Sequence, residues 1–188
     1  MGVAKSNHEV EIKLRLADVG AARRALRRAG FRVWRRRLLE SNVVFDTPDL
    51  ALRRAGRLLR LRRAGRQRLL TYKGMAEPGR HKSREEIEVA VSDGRALHWI
   101  LERLGMRAVF RYEKYRTEYQ RPGKAGLVTL DETPIGNFLE LEGSPKWIDA
   151  TARELGFAGA DYITASYGRL FFEWAASQPD PPSDMVFP

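Results

Sequence analysis

Glu9-Val10-Glu11-Ile12-Lys13 alternates charged and apolar side chains, and how that alternation is read decides the fold. In a strand, residues two apart share a face, so Glu9, Glu11 and Lys13 point one way, and Val10, Ile12 and Leu14 the other. Two carboxylates roughly 6–7 Å apart, followed by an ammonium on the same face, suit a hard divalent cation beside an anionic ligand. Taken alone, the segment is more simply a strand with its polar face in water. Repetition changes the balance.

The same alternation returns along the chain. Arg60 and Arg62 share a face, with Leu59 and Leu61 behind them, and Lys73 follows Thr71 by two positions. Arg84, Glu86 and Glu88 oppose Ile87 and Val89; Lys114 and Arg116 form another pair. Asp131 is in phase with Thr129, and Glu140 and Glu142 alternate with Leu139 and Leu141. Two architectures account for this. One is a sheet with a wet face and helices on its dry face, its charges pairing across strands. The other is a closed barrel turned inside out, apolar outside and charged within, suited to an ion and a polyanion. The pattern by itself leaves both open.

Between the strands, residues 18–29 predict a helix with Val19, Ala22, Leu26 and Ala29 on one stripe, Asp18 as N-cap and Gly30 as stop. Strands are predicted over 32–39 and 42–45, with Arg35-Arg36-Arg37 interrupting the alternation. A turn at Asp46-Thr47-Pro48-Asp49, a short helix over 50–55 and a hairpin of 58–63 with 68–73 follow. Residues 74–82 read as a loop and 84–91 as a strand. The next helix, capped by Ser92 or Asp93 and ending at Leu104, is expected to bury Leu97, Ile100, Leu101 and Leu104. Strands over 107–119, 127–132 and 138–142 and helices over 145–155 and 166–175 complete an α+β, antiparallel order. One domain over 1–175 is expected, with 176–188 a mobile tail.

Composition narrows the function. The absence of cysteine excludes disulfides, thiolate metal sites and a cysteine nucleophile, and fits a cytoplasmic protein. His8, His81 and His98 are scattered, so no histidine metal site or Ser-His-Asp arrangement is expected. No signal peptide or membrane-length apolar run is visible; the myristoylation-like match at Gly2 and Ser6 is too loosely specified to count. The net charge is +10, yet residues 21–68 alone, with sixteen Arg, no Lys and three acids, carry +13. Many of these arginines lie on the solvent face of the first helix, and aromatics are sparse among them, so a nucleic-acid platform is not expected.

The ordered set of motifs resembles the CYTH superfamily, the triphosphate tunnel metalloenzymes. It runs from Glu9-x-Glu11-x-Lys13 through Phe45-Asp46-Thr47-Pro48-Asp49, Leu59-Arg60-Leu61-Arg62, Thr71-Tyr72-Lys73-Gly74 and Arg84-Glu85-Glu86-Ile87-Glu88. It continues with Glu113-Lys114-Tyr115-Arg116, Leu130-Asp131-Glu132, the run Gly136 to Glu142, and Ser166-Tyr167. The resemblance implies a closed eight-stranded antiparallel β-barrel, a charged lumen binding triphosphate with Mg²⁺ or Mn²⁺, and helices outside. By matching position, Glu9, Glu11, Asp131, Glu140 and Glu142 would form the metal side. Lys13, Arg60, Arg62, Lys73, Arg84, Lys114 and Arg116 would hold phosphate, and Glu86 and Glu88 would join Glu9, Glu11 and Lys13 in catalysis. The implied substrates are inorganic triphosphate, ATP or another nucleoside triphosphate, with no membrane partner and a homodimer as the family's implied assembly.

Three functions follow from that site. The preferred one is a metal-dependent triphosphatase. The alternative is a class IV adenylyl cyclase making cyclic AMP and pyrophosphate from ATP, which the same phosphate-binding residues would serve. The third is a non-catalytic module that binds a polyanion through the Arg-rich half.

Overall fold

The repeated alternation closes on itself. The computed structural model of the chain describes residues 5–188, so the Gly2 pattern lies outside the described residues. Eight strands are present among them: β1 (Lys5–Leu16), β2 (Arg32–Asp46), β3 (Leu58–Ala64), β4 (Gln67–Lys73), β5 (Lys82–Ala90), β6 (Arg107–Gln120), β7 (Leu127–Thr133) and β8 (Gly136–Glu142). They form a closed antiparallel barrel in the order β1-β5-β4-β3-β2-β6-β7-β8. Closure leaves no free sheet edge and decides between the two architectures.

The side-chain period of two sorts the barrel wall. Ile12 and Leu14 of β1, Val128 and Leu130 of β7, and Leu139 and Leu141 of β8 point outward, essentially without solvent exposure. They are covered by α1 (Val19–Arg28), through Leu26, and by α4 (Pro145–Glu154), through Ile148 and Ala152. Asp18 caps α1 by accepting from the Gly20 amide at 2.6 Å, and Gly30 ends it at φ +80°, as expected from the sequence. Burying this outer layer is the main hydrophobic contribution to the fold.

The first departure is β2, one strand of fifteen residues rather than two. The arginine triplet is accommodated by register shifts against β6 between Val33 and Arg35 and between Arg35 and Leu38. Bulges of this kind let a strand continue while its alternation slips. The short α2 (Ala51–Arg54) is held by Asp46, whose carboxylate accepts from the Leu52 and Arg53 amides at 2.9 Å each.

The second departure is α3 (Gly94–Arg103). Its cap is Asp93, and Leu101 and Leu97 pack against Phe45, Leu61 and Leu70, but Ile100 and Leu104 are 54% and 74% exposed. A helix resting on a hairpin at the barrel rim meets only one ridge of its apolar stripe, so the neighbouring ridge is left outside.

The third concerns α5 (Tyr167–Ala175) and the residues after it. Phe110 and Tyr112 of β6 and Phe138 of β8 are in phase with the inward-facing charges. They pack on Tyr167, Leu170 and Phe171, so α5 plugs one end of the barrel. Near the C-terminus, Met185 is 1% exposed and bridges Tyr112 in parallel; its amide donates to the Arg111 carbonyl at 3.0 Å. Asp184 accepts from the Arg111 amide at 2.7 Å, and Phe187 packs on Tyr115. The end of the segment expected to be mobile is thus hydrogen-bonded and packed along β6, covering the stretch of that strand that β7 does not reach.

Candidate active site

Closure carries the polar face of every strand into one cavity of about 1400 Å³. Register brings the predicted residues together: Glu11 lies opposite Glu142 and Lys82, Lys13 opposite Glu140, Arg116 opposite Asp131, and Lys73 opposite Glu86. Most of these groups are buried and compensated by their neighbours, Glu142 being the exception. Charges enclosed at this density persist only when paired, because desolvation of an isolated ion is prohibitive.

The ion pairs fall into three groups. In the first, Lys73 lies between Glu9, at hydrogen-bond distance, and Glu86 at 2.8 Å, with Arg84 3.8 Å from Glu9. In the second, Lys13 reaches Glu140 at 3.1 Å and Glu11 at 3.4 Å, while Lys82 reaches Glu11 at 2.8 Å. In the third, both oxygens of Asp131 are engaged. Oδ1 accepts from Arg116 Nε at 2.7 Å; Oδ2 accepts from Arg116 at 2.6 Å and from Lys114 and the Tyr167 hydroxyl at 2.7 Å each. Arg116 also bonds Glu140.

On the opposite wall, Arg60 donates to Thr71 and to the Tyr112 hydroxyl at 3.1 Å each, and lies 3.9 Å from Glu86. Arg62 donates to Asn42 at 3.1 Å and to Glu40 at 3.3 Å. Glu88, at the periphery, accepts from Thr71 at 3.0 Å. Arg15, in phase with Lys13, turns away toward the Phe138 ring and the Ile135 carbonyl.

The surrounding charges set the protonation states. Burial would raise the Glu11 carboxyl, but Lys13 and Lys82 outweigh it and hold it well below its ordinary value. Glu140 is likewise held far down, Lys13, Lys114 and Arg116 overcoming its burial. Glu142 moves the other way. Although its side chain is more exposed than the others, partial burial, then the Glu9, Glu140 and Glu11 carboxylates, push it up to about 7, and among the described residues no base forms an ion pair with it. Burial and the Glu11 carboxylate also raise Glu9, despite Lys73. Lys82 is pulled down to about 8 by burial, against the attraction of Glu11.

Several residues of the cavity lie outside the set that the sequence singles out. Glu40 falls in the gap between two predicted strands, because the arginine triplet conceals that β2 is continuous, and Asn42, at the start of the second, carries no charge to mark it. Lys82 falls in a predicted loop, although it stands two positions before Arg84 in the same phase. Tyr112 stands two before Lys114, so extending that alternation backward finds it. Tyr167 arrives from a helix, and no strand pattern signals it.

Eight of the bases lining the cavity are buried or half-buried (Lys13, Arg60, Arg62, Lys73, Lys82, Arg84, Lys114, Arg116), while the lining Arg35, Arg53, Arg57 and Arg169 are exposed. Eight acids stand among those eight bases, the lining Glu9, Glu11, Glu86, Glu88, Glu140 and Glu142 with the buried Glu40 and Asp131; the lining Asp46 is spent on α2, and Glu118 and Glu173 pair with the exposed Arg35 and Arg169. Fully ionised, these groups sum to zero, so the chain's net +10 resides outside them. A triphosphate brings about four negative charges near neutral pH. It therefore calls for added cations or protons on the acidic wall. The acids fit a divalent cation in chemistry: Glu142 and Glu9 crowd other carboxylates, and Glu40 Oε2 is buried without a hydrogen-bond partner. Among the described residues, however, no group of three acidic or histidine side chains is already gathered to hold a metal.

A β-barrel with its ionic residues inside and its apolar residues under helices is the architecture of a tunnel for a small polyanion. The model of the CYTH domain matches residues 7–167, and the chain belongs to that family. It is 32% identical over 136 residues, covering 72% of this chain and 77% of the other, to a protein of Methanocaldococcus jannaschii named as a proposed adenylate cyclase. A Pyrococcus horikoshii protein of known structure is 27% identical with a TM-score of 0.73, covering 88% of this chain and 99% of that one. A Hippeastrum structure, described as an adenylyl cyclase candidate with a dominant triphosphatase activity, shares the fold at 20% identity and a TM-score of 0.64. That match covers 88% of this chain and 96% of the other.

Proposed function

We propose that the chain is a metal-dependent triphosphatase whose substrate, inorganic triphosphate or a nucleoside triphosphate, binds inside the barrel. The observation that carries this reading is that one cavity holds both crowded carboxylates and unspent donors. Glu142 and Glu9 are crowded among carboxylates, while, among the described residues, Arg60 and Arg84 retain buried Nε–H groups without hydrogen-bond partners, Arg84 beside Glu9 itself. Such donors are costly unless an acceptor arrives.

In this reading Arg60, Arg62, Arg84, Arg116, Lys13, Lys73 and Lys114 bind the phosphate oxygens. The arginines supply forked donors that orient, and the lysines supply point charge that neutralises. Asp131 positions Lys114 and Arg116, since both its oxygens are already engaged. Glu9, Glu11, Glu140 and Glu142 would hold Mg²⁺ or Mn²⁺, and Glu86 and Glu88 would keep Lys73 and Thr71 in place. The cation, when bound, supplies Lewis acidity toward phosphate and water. One of the acids of this wall takes the proton from the water that attacks the terminal phosphorus. The leaving diphosphate stays against the bases.

A second reading, adenylyl cyclase, is favoured by the name of the Methanocaldococcus jannaschii relative. It shares the phosphate contacts but requires the ribose 3′-hydroxyl to attack the α-phosphorus. Product analysis with inorganic triphosphate and with ATP, each with Mg²⁺ or Mn²⁺ and with Glu11→Gln as control, separates the two. Orthophosphate from inorganic triphosphate, lost in the variant, supports hydrolysis. Cyclic AMP and pyrophosphate from ATP, without orthophosphate, would replace it with the cyclase.

A further inference from the structure

Tyr112 is 7% exposed, and its hydroxyl sits in the basic half of the cavity. Arg60 Nη1 donates to that oxygen at 3.1 Å, which occupies a lone pair and leaves the phenolic hydrogen to be placed. Among the described residues, the hydroxyl donates to no acceptor. Around it stand Arg60 and Arg62 from β3 and Lys114 from its own strand. Asn42 of β2 spends its amide on the Tyr112 carbonyl at 3.3 Å, and Thr71 of β4 accepts from Arg60. Tyr167 of α5 presents its ring at 6.5 Å, and Glu86 of β5 is 3.9 Å from Arg60. A buried hydroxyl with three cations near it and no acceptor is matched by an incoming anion. The neighbouring Arg60 Nε is a second buried donor without a hydrogen-bond partner, so two independent donors ask for the same kind of ligand.

Building on the triphosphate reading, we propose that Tyr112 is a phosphate ligand. Its hydroxyl donates to an oxygen of the phosphate chain while Arg60 grips the same group. A phenol serves this purpose only while it keeps its proton. Burial would raise its pKa, but Arg60, Arg62 and Lys114 overcome burial and bring it down to about 8. Below that pH the hydroxyl donates; above it a phenolate cannot donate and repels the anion. Triphosphate affinity therefore falls on the alkaline side through Tyr112. Lys82 loses its charge in the same range, but that loss is common to wild type and Tyr112→Phe.

The test is calorimetric titration of inorganic triphosphate, without divalent metal so that no turnover intervenes, into the full chain and Tyr112→Phe near pH 7 and pH 9.5. The expected result is about tenfold or more weaker binding by the variant near pH 7, with the gap closing near pH 9.5. Equal affinity at both pH values overturns the proposal. If neither protein binds, the titration is repeated with Mg²⁺, and absence of binding there as well overturns the triphosphate reading and this inference with it. Should the variant fail to fold, the phenolate absorbance of the wild type is titrated with and without triphosphate. Bound triphosphate is expected to move the phenol upward in pH, and an unmoved titration refutes the contact.

Discussion

Asp131→Asn tests how the basic wall is held. Asp131 is fully buried and compensates two cations, Lys114 at 2.7 Å and Arg116 through both oxygens, while accepting from Tyr167. The substitution is nearly isosteric, so the loss is electrostatic: one oxygen becomes an amide donor facing donors. Glu140 and Glu40 remain near the two cations, at 3.9 and 3.7 Å from Lys114, and limit the damage. Removing one partner from a buried ionic network costs about 3–5 kcal/mol. An unfolding entropy of about 2.1 cal/mol/K per residue gives about 0.4 kcal/mol/K for a chain of this length, so Tm should fall by roughly 8–13 °C. The variant also leaves the cavity with one more uncompensated positive charge, so metal-free inorganic triphosphate should raise its Tm by more than it raises that of the wild type. The assay is a thermal melt of both proteins across a triphosphate series. A loss below about 1 kcal/mol, or equal shifts with triphosphate, would refute the view that Asp131 holds the bases against their own repulsion.

Three further outcomes are expected. Glu40 is held at about 2 because Arg116, Arg62 and Lys114 outweigh its burial. Its stabilising contribution is therefore full above the unfolded value near 4.5 and lost as pH falls toward 2. Glu40→Gln should flatten the acid limb of a denaturant-melt stability profile by about 3 kcal/mol, and an unchanged limb would show the shift is not realised. Gly126→Ala places a methyl 2.3 Å from the Trp147 ring at a φ of +96°, and urea melts should show a loss of roughly 2–6 kcal/mol from strain and overpacking together. Met185→Ala removes a fully buried side chain from the cluster around α5; a cost of about 2–5 kcal/mol is expected, and a negligible one would mean the C-terminal segment contributes nothing to the barrel.

How far the site is legible follows from how its residues are carried. Glu9, Glu11, Lys13, Arg60, Arg62, Lys114, Arg116, Glu140 and Glu142 stand two apart on regular strands, so their spacing alone announces a shared face. Lys82 obeys the same period but escapes notice because β5 begins two residues before its predicted start, and Tyr112, inside a predicted strand, because it carries no charge to mark the inner face. Glu40 is hidden by the register shifts just before it, which break the period locally while the strand continues. Ile100 and Leu104 fit an apolar stripe, yet whether a helix buries a whole stripe depends on the width of the surface beneath it.

By itself the sequence determined the alternation, the helix caps, the absence of thiol chemistry and the residue types that can meet phosphate and metal. All of these are properties of neighbours along the chain. The tertiary structure decided that the sheet closes, which lets α1 and α4 cover the outward apolar faces of β1, β7 and β8, and α3 those of β2, β3 and β4, where an open sheet would leave some of them uncovered. Closure then determined which base met which acid. That pairing separated carboxylates held ionised by lysine and arginine, as at Glu11 and Glu140, from carboxylates raised by their own kind, as at Glu142. Electrostatic energy depends on distance and burial, and both are set by strand register across the barrel rather than by spacing along the chain.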